Sequence, residues 1–338
     1  MTQLLALRDE QRLLDNFGRV ARDLRVSLTD RCNLRCTYCM PAEGMQWQAP
    51  DTLLTDDELV RLTRIAVQLC GIERVRLTGG EPLIRRSVAN VVAGIAALTS
   101  RPEISITTNG LLIDKFLPEL IEAGLDRVNV SLDTLRPDRF KLLSRRDGLD
   151  RVLAGLAACC AAGLTPVKVN SVLIRGVNDD EACDLLSFCL DHDYELRFIE
   201  QMPLDADHRW RREEMVTADE ILAALRSGFD LTEAGDRGSS PAEHFVVNGG
   251  PARVGVIASV TRPFCGSCDR TRLTADGQIR SCLFSTKETD LRWLLRGDAT
   301  DETIADAWRF TMSRKAAGHG VGDVDFVQPQ RSMSAIGG

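Results

Sequence analysis

Short segments with alternating apolar and polar positions are interleaved with amphipathic segments over the first 205 residues of the chain. The alternating segments predict six strands, at 24–28, 74–79, 103–109, 127–133, 167–174 and 195–202. The 3.6-residue periodicity between them predicts helices at 56–70, 87–98, 114–123, 149–162 and 180–192. Alternating strands and helices form parallel sheets with right-handed crossovers. The pattern therefore predicts an α/β fold, a partial (β/α)6 barrel rather than a closed eight-stranded one.

The polar positions of these strands all fall on one face. Arg25, Arg76 and Lys168 alternate with buried-type aliphatic residues, and Ser, Thr and Asn occupy the matching positions of the third and fourth strands. A closed barrel normally fills its lumen with branched aliphatic side chains. Because a buried cation without a partner is costly, the sequence predicts an open, wet channel for a large anionic ligand. The alternative is a solvated face of an antiparallel sheet, which the alternation with helices disfavours.

The remaining third of the chain changes character. Residues 205–245 are rich in charge, Gly and Ser around one predicted helix at 217–227. Short strands at 245–248 and 253–260, a hairpin in TADGQIRSCLF, and helices at 286–296 and 301–316 follow. We predict a barrel domain with an N-terminal extension over 1–230 and a smaller α+β domain over 231–338.

Composition limits the kind of protein. The 338 residues are 44% hydrophobic and carry a net charge of −7, which argues against general binding to nucleic acid. No apolar run has the length of a membrane span, and acidic residues and arginines interrupt the leucines of the N-terminus, so no signal peptide is predicted. We therefore predict a cytoplasmic protein that has no membrane contact.

Eleven cysteines are many for a cytoplasmic chain, and their odd number argues against a disulfide framework. Five of them lie in predicted helices and are interpreted as small buried hydrophobic residues: Cys70, Cys159, Cys160, Cys183 and Cys189. The other six form two triads, Cys32/Cys36/Cys39 and Cys265/Cys268/Cys282. These triads are the candidates for metal chemistry.

The first triad directly follows the first strand, at the end of a barrel where active sites gather. Zinc prefers four ligands, and none of the four histidines is nearby in sequence. A 4Fe–4S cluster on three thiolates leaves one iron free to bind a further ligand. The spacing of the second triad leaves a structural zinc knuckle open, with His244 or His319 as the fourth ligand.

Three cysteines in this spacing, with TGGEP (78–82) after the second strand, resemble the radical S-adenosylmethionine (SAM) superfamily. The further segments ITTNG, NVSLDTL, KVNSVLIRGVND, EQMP, FCGSCDRTRLTADGQIRSCLF and the terminal GG resemble, in order, the GTP 3′,8-cyclase family of molybdenum-cofactor biosynthesis. The resemblance covers roughly residues 16–338. It implies a lyase that converts GTP to (8S)-3′,8-cyclo-7,8-dihydroguanosine 5′-triphosphate with a deoxyadenosyl radical generated from SAM.

The resemblance also implies the site residues. Each triad would hold one 4Fe–4S cluster, and the open iron of the second would face the guanine of GTP. The implied SAM contacts are Tyr38, Gly80, Glu81, Ser131 and Met202. The implied GTP contacts are Arg25, Arg76, Thr107, Lys168, Arg270, Thr271 and Arg272, with Arg197 a weaker phosphate candidate. Several of these are the polar-face residues that strand alternation selects independently.

Partners follow from the same resemblance. It implies an electron donor such as a flavodoxin or ferredoxin, and transfer of the product to cyclic pyranopterin monophosphate synthase. A homodimer is predicted, without nucleic acid. The terminal Gly337 and Gly338 are predicted to enter the channel near SAM and support the radical step, with Ile336 as an apolar anchor; a frayed end is the alternative.

Two other functions compete with this interpretation. A radical SAM enzyme with an auxiliary cluster that modifies a peptide would need a docking surface for the peptide but not several cations in its lumen. A zinc-dependent nucleic-acid-binding module would need eight zinc ligands and a basic chain.

Overall fold

A twelve-stranded sheet runs through the computed structural model, which describes residues 11–337. Its strands are β1 (Asp23–Ser27), β2 (Arg74–Thr78), β3 (Glu103–Thr108), β4 (Arg127–Ser131), β5 (Lys168–Val172), β6 (Glu195–Ile199), β7 (Leu231–Glu233), β8 (Glu243–Val247), β9 (Arg253–Ile257), β10 (Arg270–Leu273), β11 (Gln278–Arg280) and β12 (Thr289–Asp290). The six strands predicted from alternation are β1–β6, each found within a few residues of its expected bounds.

The helices lie between these strands and after them. They are α1 (Asp56–Cys70), α2 (Val88–Ala96), α3 (Ile113–Glu122), α4 (Pro137–Ser144), α5 (Leu149–Ala161), α6 (Ala182–Asp191), α7 (Ala218–Arg226), α8 (Leu291–Arg296), α9 (Asp301–Ser313) and α10 (Met333–Ile336). Helix α1 has the predicted bounds, because Thr55 and Glu58 form a capping box and Gly71 ends it in the left-handed conformation. Within the described residues, no helix is long and apolar enough to cross a membrane.

The strand order is β12-β11-β10-β1-β2-β3-β4-β5-β6-β9-β8-β7. In this order, every pair of neighbouring strands from β10 to β9 is parallel. The pairs are antiparallel at both edges, where β11 and β12 follow β10 and where β8 and β7 follow β9. The sheet is open, which confirms a partial rather than a closed barrel. The C-terminal third adds strands to both edges of this sheet, a topology that the sequence pattern did not predict. A domain boundary at residue 230 stays a prediction.

The apolar face of the sheet carries the core. Val26, Val75, Ile104, Val128 and Val169 are fully buried on consecutive strands and belong to one large apolar cluster. That cluster includes residues of the helices, such as those of α1, α2 and α5. The helices therefore cover one face of the sheet, and the polar positions of the strands are directed to the other.

Several elements differ from the expectation: β7 and α10 were not predicted, and two further helices differ as follows. Helix α4 was not predicted, because its eight residues alternate charged and apolar side chains too briefly to show a clear period. The helix expected at 286–296 begins only at Leu291, after β12, where Asp290 caps it by accepting a hydrogen bond from the Trp293 backbone.

Candidate active site

The polar face of the sheet borders a cavity of about 300 Å³. One end is lined by the first cysteine triad and the loops after β1, β2 and β3. Another part is lined by Arg270, Arg272 and Phe264, which lie within four residues of Cys265 or Cys268. The two parts of the lining therefore differ in their chemistry.

A row of guanidinium groups crosses the sheet beneath this cavity. In the strand register, Arg25 of β1 lies opposite Arg272 of β10 on one side and Arg76 of β2 on the other. All three line the cavity, as does Arg270. The alternation of β1 and β2 predicts two members of this row, and the parallel pairing of β10 with β1 brings in the others.

This positive charge is only partly compensated. The Nε atoms of Arg25 and Arg76 are buried and have no hydrogen-bond partner among the described residues. Burial, with repulsion by Arg76 and Arg272, holds the pKa of Arg25 well below its ordinary value. The negative charge of Asp23 partly offsets the repulsion between the arginines. Burial alone would raise the pKa of Asp23, but the neighbouring guanidinium groups lower it below its ordinary value. An anion in the cavity would supply the missing partners.

The other predicted GTP contacts differ in their placement. Thr107 lines the cavity, whereas Lys168 does not belong to its lining; burial, followed by repulsion from Arg197, lowers the pKa of Lys168 to about 8. Arg197 lines the cavity. It also forms an ion pair with Glu195, with 2.5 Å between Arg197 Nη2 and Glu195 Oε1. Thr271 points to the helix side of β10, where its hydroxyl accepts a hydrogen bond from Trp308 Nε1 at 3.0 Å. The side chain of Thr271 therefore does not face the cavity.

All five predicted SAM contacts line the end with the first triad: Tyr38, Gly80, Glu81, Ser131 and Met202. A Cβ atom on Gly80 would lie 2.2 Å from the Arg31 carbonyl oxygen, so only glycine allows the loops after β1 and β2 to approach this closely. The Gly80 backbone donates a hydrogen bond to the Thr29 carbonyl at 2.8 Å, which fixes the approach.

Glu81, predicted to contact SAM, accepts three hydrogen bonds from within the protein. One carboxylate oxygen accepts hydrogen bonds from Thr108 Oγ1 at 2.7 Å and the Leu83 backbone at 3.1 Å, and the other accepts from the Asn109 backbone at 2.7 Å. Burial raises its pKa to about 7, although these three donors act in the opposite direction. Glu81 thus ties the loop after β2 to the end of β3.

Asp133, the last residue of the predicted fourth strand, lines the cavity although no role was predicted for it. Its carboxylate accepts a hydrogen bond from the Tyr38 hydroxyl at 2.7 Å and from the Val172 backbone at 2.9 Å. Burial raises its pKa to about 6 despite both bonds. Asp133 lies just after β4, where residues of the polar face meet the cavity. This position in the sequence was the one sign that Asp133 could belong to the site.

The first triad has the chemistry of a metal-bound set of thiolates. Burial raises the pKa of Cys32 to about 11 and of Cys39 to about 12, so neither thiol ionises at neutral pH without a cationic partner. Donors nevertheless point at the sulfur atoms: the Leu34 backbone lies 3.4 Å from Cys32 Sγ, and the Ser334 backbone bonds Cys39. Iron would supply the missing positive charge, so these residues fit a cluster.

The second triad is embedded in cationic groups. Lys315 Nζ lies 3.3 Å from Cys268 Sγ, and Arg19 donates to the Cys265 carbonyl at 2.7 Å. Burial alone would raise the pKa of Cys268, but Arg270, Lys315 and backbone donation lower it below the ordinary value. The thiolate of Cys268 is therefore easier to form than that of an ordinary cysteine, which also fits a cluster.

One of the two histidines of the zinc alternative, His319, is already engaged by the protein. Both ring nitrogens of His319 are engaged: Nε2 contacts the Ser259 carbonyl at 2.8 Å, and Nδ1 accepts a hydrogen bond from the Val321 backbone at 2.9 Å. His244 lies on β8, where it pairs with Gly255 of β9. Over residues 11–337, no three Cys, His, Asp or Glu side chains converge as a single metal ion requires.

The C-terminal tail borders the cavity, which Met333 and Ser334 line. The Gly337 carbonyl accepts a hydrogen bond from Arg272 Nη1, and a Cβ atom on Gly337 would lie 3.0 Å from Ser27 Cβ and 3.1 Å from Thr78 Cγ2. Ile336 is 1% exposed and packs in a small apolar cluster with Leu204 and Val260, among others. Gly338 lies outside the described residues.

Comparison with known proteins identifies close relatives. The chain is 66% identical over 328 residues to the GTP 3′,8-cyclase of Streptomyces coelicolor, an alignment that covers 96% of each protein. It is 60% identical over 331 residues to the GTP 3′,8-cyclase of Mycolicibacterium smegmatis, covering 96% of this chain and 92% of that one. Two family models also match: the radical SAM superfamily over residues 26–189 and Molybdenum Cofactor Synthesis C over residues 194–321.

Solved structures share the fold at low sequence identity. SuiB of Streptococcus suis bound to S-adenosylmethionine has a TM-score of 0.58 at 14% identity, covering 85% of this chain and 68% of that one. Native anSMEcpe with bound AdoMet has a TM-score of 0.58 at 14% identity, covering 88% of this chain and 82% of that one. These likenesses concern the architecture alone.

Proposed function

Because this chain belongs to the GTP 3′,8-cyclase family of radical SAM enzymes, we propose that its cavity is the place where GTP becomes (8S)-3′,8-cyclo-7,8-dihydroguanosine 5′-triphosphate. This is the first step of molybdenum-cofactor biosynthesis. The observation that carries the proposal is the row of arginines in the same cavity as the first cysteine triad, in which the buried Nε atoms of Arg25 and Arg76 have no partner among the described residues.

The cofactors are two 4Fe–4S clusters and SAM. We assign Cys32, Cys36 and Cys39 to the first cluster and Cys265, Cys268 and Cys282 to the second. When bound, the first cluster and SAM supply a 5′-deoxyadenosyl radical that removes hydrogen from C3′ of GTP.

The residues around the first triad hold SAM in this proposal. The glycine-permitted approach at Gly80 leaves backbone groups exposed to the ligand, and Ser131 and Met202 line the same end. Tyr38 is oriented by its hydrogen bond to Asp133. Because Glu81 already accepts three protein hydrogen bonds, we propose that it acts on SAM mainly by fixing the loop.

The opposite end holds GTP. We propose that Arg25, Arg76, Arg270 and Arg272 bind the triphosphate, which would satisfy donors that the protein leaves unpaired. A charge-assisted hydrogen bond is worth about 1.5–3 kcal/mol. Thr107 and Lys168 lie in one row across the sheet, since both are in register with Asn129, and Lys168 lies outside the cavity lining. Thr271 can contribute only through its backbone.

The Gly-Gly tail completes the site in this proposal. Gly337, held by Arg272 between Ser27 and Thr78, excludes water from the space between the SAM and GTP ends. Gly338 would extend from it. We propose that the two glycines organise the radical step without ligating either cluster.

The wider setting is also part of the proposal. We propose a one-electron donor such as a flavodoxin or ferredoxin, a homodimer, a cytoplasmic location, and product transfer to cyclic pyranopterin monophosphate synthase. These follow from the family and from the composition of the chain.

A binding measurement tests the assignment of the triphosphate site. The Arg76→Ala variant, reconstituted anaerobically, should bind GTP at least several-fold more weakly in calorimetry while SAM affinity stays within twofold, because the arginine lies at the GTP end. Arg101→Ala is the matched control, since Arg101 is 40% exposed and paired with Asp126. Equal GTP affinity in Arg76→Ala and wild type would remove the triphosphate from this row.

A further inference from the structure

Lys315 is a buried lysine whose ammonium group contacts the second triad. It follows α9 and is only 4% exposed. Its Nζ lies 2.9 Å from the Arg270 carbonyl oxygen, 3.1 Å from the Cys268 carbonyl oxygen and 3.3 Å from Cys268 Sγ. The three donors of the ammonium group thus have three acceptors.

This environment calls for an anionic sulfur. A buried ammonium group is costly unless it is paired with a negative charge. None of its three acceptors is a carboxylate, and two are neutral carbonyls. The remaining acceptor balances the charge only if Cys268 is a thiolate, as it is when it ligates iron.

The lysine is also fixed from the other side. Arg19 Nη2 donates to the Ala316 carbonyl at 2.6 Å, and Arg19 Nη1 donates to the carbonyls of Ala317, at 2.9 Å, and of Cys265, at 2.7 Å. Arg19 in turn is paired with the buried Asp15. The segment that carries Lys315 is therefore fastened to the cysteine loop that it faces.

Lys315 joins this cysteine loop to the cavity. Arg270, whose carbonyl it bonds, begins β10 and sends its side chain across Phe264 into the cavity, with the guanidinium carbon 4.7 Å from the ring centre. The next residue but one on β10, Arg272, holds the tail at Gly337. A single ammonium group therefore contacts both a cysteine of the triad and the strand that carries two cavity arginines.

We propose that Lys315 is a positioning residue of the second 4Fe–4S cluster, which raises the reduction potential of that cluster through its bond to Cys268 and holds Arg270 beside it. The inference rests on the assignment of Cys265, Cys268 and Cys282 as cluster ligands. Reduction adds one negative charge to a cluster, and a nearby cation that donates to a ligand sulfur stabilises the reduced form more than the oxidised form. Removal of the ammonium group therefore lowers the potential.

The test is a redox titration of the full chain with both clusters, followed by electron paramagnetic resonance. The signal of the second cluster is identified in the variant that has Cys32, Cys36 and Cys39 replaced by Ala. Lys315→Met keeps the length of the side chain without its charge, Lys315→Arg keeps the charge, and Lys115→Met, at an exposed position of α3, is the control.

We expect Lys315→Met to retain both clusters and to lower the reduced-to-oxidised ratio of the second cluster at least tenfold at a fixed potential. That change corresponds to about 59 mV for one electron. The first cluster should not shift, and Lys315→Arg and Lys115→Met should stay within threefold of wild type. Lys315→Met could instead lose the second cluster. In that case, a second cluster that is retained in Lys315→Arg at the wild-type potential supports the role of the Lys315 charge.

Three results would overturn the proposal: an unmoved potential in Lys315→Met with both clusters present, an equal shift in both clusters, or loss of the second cluster from Lys315→Met and Lys315→Arg alike. These outcomes differ from a failure of the proposed function. Wild-type chain that binds only about four iron atoms would remove the second cluster itself, whereas about eight iron atoms with an unmoved potential would remove only the role of Lys315.

Discussion

At the scale of single residues, Gly337 lies in a space beside the cavity that leaves little room for a side chain. Gly337 has a φ of +87°, and the space where a Cβ would stand is bounded by Ser27 and Thr78 at about van der Waals contact or closer. Both the backbone conformation and the packing therefore select glycine, which is a physical reason for a glycine at the tip of this tail.

Gly337→Ala should displace the tail from the cavity. A left-handed conformation costs a non-glycine residue about 1 kcal/mol or more, and the new methyl group would press on Ser27 and Thr78. We expect GTP cyclisation to fall at least tenfold, with iron content and GTP affinity within twofold of wild type. Gly318→Ala is the control, because no heavy atom lies within 4 Å of its Cβ position. Full cyclisation by Gly337→Ala would show that the tail has no part in the reaction.

Glu81 makes the stability of the chain depend on pH. Its folded-state pKa of about 7 lies above the ordinary value of 4.5, so folding favours its protonated form. The resulting stability is complete below pH 4.5 and is lost as the pH rises through 7. For this group alone, the free energy of unfolding should fall by roughly 2–3 kcal/mol between pH 5 and pH 8.

Urea denaturation of the cluster-free chain at pH 5 and pH 8 measures this effect. Glu81→Gln should reduce the difference by about that amount, because the amide cannot ionise, whereas Asp133, whose pKa is also raised, keeps its own contribution. Glu119→Gln, at an exposed position of α3, should leave the difference as in wild type. An unchanged difference in Glu81→Gln would mean that the carboxylate is not the group responsible.

Strand alternation predicts Arg25, Arg76 and Thr107 as cavity residues because side-chain direction on a strand is a local property. The roles of Asp133 and Lys315 were not predictable in this way. Asp133 meets Tyr38 across 95 residues of sequence, and Lys315 meets Cys268 across 47 residues. Such contacts depend on how the loops and termini return to the sheet, and a single sequence has no local signal for that. The same limit applies to Thr271, whose orientation follows from the place of β10 in the sheet.

At the scale of elements, the unpredicted helix α4 anchors the loop of the first triad. The backbones of Arg35 and Thr37 donate to the carbonyls of Ser144 and Leu143 at the end of α4, both at 2.9 Å. Arg145 follows with a φ of +54° and donates from Nη1 to the carbonyls of Arg35, at 3.1 Å, and Met40, at 2.9 Å. These bonds bracket the segment that contains Cys36 and Cys39.

Arg145→Met should loosen that segment. Two hydrogen bonds are lost, worth together about 1–3 kcal/mol. We expect iron of the first cluster to be lost to a chelator about tenfold faster, as followed by the absorbance of the cluster. Arg146→Met is the adjacent control, because Arg146 is exposed and bonds only the carbonyl of Arg145 through Nη1. Equal rates in the two variants would mean that α4 does not stabilise the cluster loop through Arg145.

At the scale of the whole molecule, the open sheet explains how one cavity is lined both by the first cysteine triad and by residues close in sequence to the second. The C-terminal third returns β10 beside β1 and β9 beside β6, so the second triad lies next to the strand edge that carries the arginine row. The fold is shared with SuiB, which is also known bound to the precursor peptide SuiA, at a TM-score of 0.56 and 15% identity. That likeness shows the architecture only. The arginines that line the cavity of this chain suit a triphosphate rather than a peptide.

The zinc-dependent nucleic-acid-binding alternative does not agree with the whole molecule. The chain has a net charge of −7, and the arginines that line the cavity are buried or half-buried rather than on an open basic surface: Arg25, Arg76, Arg197, Arg270 and Arg272. Its relatives over 96% of its length are GTP 3′,8-cyclases. The repeated strand and helix pattern predicted the parallel sheet. The C-terminal strands that extend both edges of the sheet depend on long-range pairing, which no local pattern specifies.

The central claim is that this cavity brings a SAM-derived radical to C3′ of GTP. The most direct measurement supplies the reconstituted chain with SAM, dithionite and GTP deuterated at C3′, and analyses the products by mass spectrometry. We predict one deuterium in the 5′-deoxyadenosine formed and an equal amount of cyclised nucleotide that lacks it. Formation of 5′-deoxyadenosine without deuterium, or with no cyclised nucleotide, would contradict the account.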